Sequence, residues 1–76
     1  MYVTVKYYRS EMNGYAGKEY CYWTDLDVRR GDVVAAPVRG IDQRAVVVGI
    51  KKPKPEFQCS EITKMWEVDF DERGRA

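Results

Sequence analysis

Alternation is the feature that most constrains this chain. β-branched and aromatic residues recur at every second position in five short runs, and period-two patterning of this kind specifies half-buried strands. Tyr2 to Arg9 reads as the first strand, with Val3, Val5 and Tyr7 on one face and Tyr2, Thr4, Lys6 and Tyr8 on the other. Asn13-Gly14 and Gly17 mark Ser10 to Gly17 as a turn or hairpin loop. Lys18 to Thr24 is expected as the second strand, with Tyr20, Tyr22 and Thr24 opposite Cys21 and Trp23. Between Asp25 and Gly31 the chain is too short and polar for a helix. Leu26 and Val28 are expected to tuck into a core while Arg29-Arg30-Gly31 turns tightly.

The second half continues the pattern. Asp32 to Arg39 is expected as a third strand, which Pro37 places at an edge or a bulge because proline lacks a ladder donor. Gly40 to Gln43 reads as a turn, and Arg44 to Lys52 as a fourth strand apolar enough to be central. Pro53 and Pro55 end it in an extended connector. Ser60 can cap one helical turn running to Lys64, and Met65 to Phe70 reads as a fifth strand. Trp23 and Trp66 are expected to face inward. The charged residues 71–76 form a tail beyond a single domain of residues 1–70. The fold class this predicts is mainly β: a small five-stranded antiparallel barrel, SH3-like or OB-like, with at most one short helical turn. The alternative is a partly open sheet in which Glu56 to Lys64 supplies a short helix.

Size and composition exclude most functions. At 76 residues, the chain buries about 60% of the surface that its unfolded form exposes. A two-domain enzyme or a doubly wound nucleotide-binding sheet does not fit. There is no histidine, which removes histidine-based triads and zinc sites. Two cysteines, Cys21 and Cys59, are too few for a four-thiolate zinc centre; reduced, buried thiols are expected, with a disulfide between the two as the less favoured alternative in a cytosolic chain. No arrangement supports catalysis, so neither enzymatic activity nor a cofactor is expected. Residues 1–6 lack a basic segment followed by an apolar core, and the apolar run Ala45 to Ile50 is too short to span a bilayer. A cytoplasmic protein without membrane contact is the expectation.

Charge is unevenly distributed although the formal net is +1. Residues 1–38 balance. Residues 39–54 carry Arg39, Arg44, Lys51, Lys52 and Lys54 against Asp42, a net of +4, and residues 55–76 carry a net of −3. The basic segment is a candidate positive edge for phosphates, with Tyr20 and Tyr22 as stacking platforms for bases. The bland reading of those charges is a solvated edge. Glu67, Asp69, Asp71 and Glu72 are read as a solvated acidic end. Among the tyrosines, Tyr15 is the one expected to be exposed.

A longer pattern joins these runs. Tyr20-Cys21-Tyr22, Leu26-Asp27-Val28-Arg29-Arg30-Gly31-Asp32-Val33-Val34, Pro37-Val38-Arg39-Gly40 and Arg44-Ala45-Val46-Val47-Val48-Gly49-Ile50 follow in order. Ser60 to Val68 closes the series. The arrangement resembles the N-terminal DNA-binding domain of the primosomal helicase PriA. The resemblance spans roughly residues 18–70 and implies a compact barrel that binds single-stranded DNA ends or fork DNA. It makes Gly40 the loop glycine and sets Thr63, with Lys64 next to it, at the position of a lysine in the closing element. Cys21 stands where that family has an acidic residue that contacts the strand's terminal 3′ hydroxyl, and a thiol does not accept a hydrogen bond as a carboxylate does. With no helicase motor attached, the resemblance implies a stand-alone version, as would suit a phage or mobile-element accessory protein. Two functional classes therefore stand open. One is a DNA-binding barrel using Tyr20, Tyr22, Arg39, Gly40, Arg44, Lys51, Lys52, Lys54 and Lys64. The other is a protein-interaction module that inhibits or recruits a partner through its tyrosine-rich and charged surfaces.

Overall fold

The computed structural model describes residues 1–67. Six strands form one sheet: β1 (Tyr2–Arg9), β2 (Gly14–Tyr15), β3 (Tyr20–Thr24), β4 (Val33–Val38), β5 (Ile41–Lys52) and β6 (Glu61–Ile62). The order is β4-β5-β1-β3-β6, with the short β2 pairing β1. The sheet nearly closes on itself. Past β6 the chain turns to β4, where Met65 bridges Val34, Ala35 N–H donates to the Lys64 carbonyl at 3.2 Å and Trp66 N–H donates to the Val33 carbonyl at 3.1 Å. Near-closure covers strand edges that would otherwise template aggregation.

The inward faces follow the alternation. Val3 and Val5 of β1, Tyr22 of β3, Val34 and Ala36 of β4, Ala45 and Val47 of β5 and Ile62 of β6 make one core. Val28 joins it from the β3–β4 connection, and Leu26 packs against it. Thr24 is the one buried polar residue among those described, and its hydroxyl is fully used. It donates to the Ile62 carbonyl at 2.8 Å and accepts from Leu26 N–H at 3.0 Å. The Arg29–Asp32 turn is held by Asp32 N–H donating to the Arg29 carbonyl, with Gly31 at φ +96°.

Four expectations are corrected. Ser60 to Lys64 is not a helical turn. Glu61 and Ile62 lie as β6 against the free edge of β3, which buries Ile62 and satisfies backbone groups that a helix would leave bare. The helical turn, of 3-10 type, is instead Ser10–Met12. The sheet is not wholly antiparallel, because β3 and β6 run parallel. β5 begins at Ile41, three residues earlier than expected. Arg39 and Gly40 alone make the β4–β5 turn, at φ +52° and +81°, a pair of values that matches the twist of a two-residue hairpin. Trp23 faces outward with Cys21, half-buried against Tyr2 at a ring-centroid distance of 5.1 Å. Of the expected fifth strand, Met65 makes a single bridge, while Val68 to Phe70, Asp69 of the acidic end and residues 71–76 lie outside the described residues.

Candidate functional site

The long β5 decides where the charges go. Arg44 precedes Ala45, which pairs Tyr7 at one end of the β1–β5 ladder, and Lys51 precedes Lys52, which pairs Tyr2 at the other. Residues 39–54 therefore do not form one positive edge; they supply two separate ends. At the first end, Arg39 and Gly40 form the exposed hairpin tip. Arg44 is held over the Tyr8 ring, its Cζ 4.4 Å from the centroid, and its Nε donates to the Tyr15 hydroxyl at 3.0 Å. Tyr15 is consequently half-buried rather than free. Lys64 also lies here, in an ion pair with Asp42 at 3.1 Å, the only ion pair among the described residues.

At the second end, Lys51, Lys52 and Lys54 are all exposed. Lys51 takes φ +54°, bending the strand so that Lys52 comes opposite Tyr2. Beside them the connector from Pro53 to Ser60 arches over the outer face of β1 and β3. A groove of about 610 Å³ lies beneath it, lined by Tyr2, Trp23, Lys54, Phe57 and Glu61, among others. Phe57 is 65% exposed, an unusual position for phenylalanine. Tyr2, Trp23, Phe57 and Lys54 thus share the groove, Lys52 lies beside it as the partner of Tyr2 in the ladder, and Lys51 precedes Lys52 at the same end of β5.

The two tyrosines proposed as stacking platforms divide. Tyr22 is a correction: it is 5% exposed and belongs to the core, because its place in the alternation points its ring inward at the middle of β3. Its hydroxyl hydrogen-bonds to that of Tyr7 and donates to the Pro37 carbonyl. Burial first, and the Tyr7 hydroxyl second, hold it above the ordinary tyrosine range, so it stays neutral. Tyr20, at the strand's outer end, keeps 38% exposure, with one ring face tilted against Tyr7 at 4.8 Å.

Cys21 and Cys59 are both free thiols and both half-buried. Burial, then the adjacent Cys59 thiol, push the Cys21 thiol up to about 11. Among the described residues, no group of three histidine, cysteine, aspartate or glutamate side chains converges to hold a metal. No helix among them is long and apolar enough to cross a membrane.

Sequence reasoning overlooked Tyr2, Trp23 and Phe57. The signal for Trp23 was its shared parity with Cys21, opposite the Tyr22 and Thr24 that fill the core. The signal for Phe57 was an aromatic in a proline-bearing connector, where no strand pattern gives it a core position.

The fold defines a small, nearly closed β-barrel. No protein-family model matches the chain, and no curated protein or solved structure is significantly similar to it.

Proposed function

We propose that this chain is a non-enzymatic nucleic-acid-binding barrel that takes single-stranded DNA, at ends or forks, in the groove under the Pro53–Ser60 connector. The observation that carries the reading is the groove shared by Tyr2, Trp23, Phe57 and Lys54, with Lys52 beside it opposite Tyr2 and Lys51 next to Lys52 in the chain. Binders of single strands combine a basic track for the backbone with aromatic faces for the bases, worth about 1–3 kcal/mol per stacked base. Exposed Phe57 offers such a face and the three lysines offer the track. The resemblance to the primosomal domain supports DNA ends as the form of the strand.

The test is binding of a labelled oligothymidylate across a range of salt concentrations. Each phosphate neutralised on a single strand contributes about −0.7 to the log–log salt slope. Replacing Lys51, Lys52 and Lys54 together by alanine should flatten the slope by roughly two. Phe57→Ala should weaken binding and leave the slope unchanged, since stacking releases no counterions. Arg44→Ala, at the far end, should change neither. Glu56 and Glu61 also border the groove, and this mixed charge favours one rival, a protein-interaction module. Absence of binding at low salt would overturn the DNA reading in favour of that rival.

A further inference from the structure

The fold brings the chain's two cysteines together from distant positions. β3 and β6 are in parallel register, with Trp23 opposite Glu61 and Thr24 opposite Ile62. Trp23 N–H donates to the Ser60 carbonyl at 3.0 Å, so the ladder continues at least one residue before β6. Carried back two residues from Trp23 and Glu61, the same register sets Cys59 opposite Cys21. Both then fall on the outer face, because side chains two apart share a face. The two line one cleft with Tyr20 and Gln58. Neighbouring strands lie about 4.8 Å apart, inside the Cα separation of about 4.4–6.8 Å that a disulfide spans.

We propose that Cys21 and Cys59 form a reversible intramolecular disulfide that fastens the Pro53–Ser60 connector to β3. A small-molecule disulfide of the glutathione class is the oxidant. The Cys59 thiolate attacks it and expels one small thiolate. The Cys21 sulfur, releasing its proton to solvent, then attacks the mixed disulfide at Cys59 and expels the second. Two S–H bonds are lost and one S–S bond forms, while the small disulfide is reduced to two thiols. Burial holds the proton on the Cys21 thiol at neutral pH, so closure onto the mixed disulfide becomes faster as pH rises. Closure fixes the segment that carries Lys54 and Phe57, so its effect on DNA rests on the proposed function, whereas the bond itself does not.

The experiment treats the full chain with oxidised glutathione and counts thiols after denaturation without reductant. The expected result is loss of both thiols, a mass lower by two hydrogens, and no glutathione adduct. The bond closes a loop of roughly 40 residues, so the melting temperature should rise by about 5 °C or more and return on reduction. Cys59→Ser, altered only in the connector, should keep one thiol or carry an adduct and show no such rise. Stable adducts on both cysteines of the wild-type protein, or disulfide-linked dimers in place of the internal bond, would overturn the proposal. An internal bond in a protein that binds no DNA would support the disulfide and overturn the DNA reading, which keeps the two failures apart. Where both hold, the oxidised and reduced forms should differ in affinity for the oligothymidylate.

Discussion

The Tyr7 and Tyr22 hydroxyls hydrogen-bond to each other, and Tyr22 donates onward to the Pro37 carbonyl at 3.1 Å. This chain of donors links β1, β3 and β4 near one end of the barrel. It fixes the proton order, since Tyr22 gives its hydrogen to Pro37 and must accept one from Tyr7. Pro37 cannot donate to the ladder, but its carbonyl supplies the acceptor that a buried tyrosine needs.

Tyr22→Phe should therefore destabilise the barrel. It leaves the Pro37 carbonyl and the Tyr7 hydroxyl without their partner, a loss of about 1–2 kcal/mol. Urea unfolding would show a lower midpoint at unchanged slope. DNA binding should be unaffected, because the ring is in the core. A variant as stable as the wild type would mean that the hydroxyl relay contributes nothing.

Stability should also fall at alkaline pH. The Cys21 thiol is raised from 9.0 to about 11, and Tyr22 is raised further above its ordinary range, each chiefly by burial. A raised value means the folded state holds a proton that the unfolded chain releases. The associated stability is complete below the unfolded values and is lost as pH rises. For Cys21 the loss runs from about pH 9 to 11, and for Tyr22 it begins near pH 10, the ordinary tyrosine value. Urea midpoints should stay level to about pH 9 and then decline. Cys21→Ser should remove the earlier part of the decline and Tyr22→Phe the later part. A flat profile through this range in the wild type would contradict the prediction.

The core of this barrel was legible because alternation is a local property. Val3, Val5, Val34, Ala45 and Val47 each occupy the inward parity that their own run dictates, whereas β3 alternates the other way from the reading that set Trp23 inward, and Tyr22 fills the core in its place. What the sequence hid were decisions made between distant segments. Glu61 and Ile62 become a strand only because β3 presents a free edge, a fact that no local signal around Ser60 contains. The two-residue turn at Arg39 and Gly40 was obscured because arginine is an unusual occupant of positive φ, so the start of β5 was set too late. The candidate site divided for the same reason. The charges of residues 39–54 are neighbours in sequence, and a strand 12 residues long carries them to opposite ends. Lys64 was legible as a cation, while its pairing with Asp42 depends on closure of the barrel.

Gly49 and Thr4 should behave as a coupled pair. Thr4 Oγ1 is buried without a hydrogen-bond partner, and a Cβ added at Gly49 would come within 2.5 Å of it. The two lie opposite each other where the β1–β5 register shifts. Gly49→Ala should cost about 1–3 kcal/mol through overpacking. Thr4→Val alone should raise stability by about 1 kcal/mol, since it removes an unsatisfied hydroxyl at nearly constant volume. Adding Thr4→Ala to Gly49→Ala should recover part of the loss, a coupling of about 0.5–3 kcal/mol in a double-mutant cycle. Simple additivity of the two changes would show that the close approach is relieved in another way.

Arg39 and Gly40 allow stability and binding to be separated at one turn. Both central residues have positive φ, and Val38 pairs Ile41 directly. Asparagine before glycine is the preferred pair in such a hairpin, because its short side chain tolerates the left-handed region better than arginine does. Arg39→Asn should therefore stabilise the barrel by about 0.5 kcal/mol, within the left-handed penalty that it relieves. Gly40→Ala should destabilise it by about 1–2 kcal/mol. A Cβ there meets nothing within 4 Å, so backbone strain is the whole cause. Arg39→Asn also deletes a positive charge. Arg39 sits at the end of the barrel away from Lys51, Lys52 and Lys54, so both the affinity for oligothymidylate and its salt slope should stay at the wild-type values. A salt slope flattened by about 0.7, the share of one phosphate contact, would place the strand on the hairpin tip and move the site to the Arg39–Arg44 end.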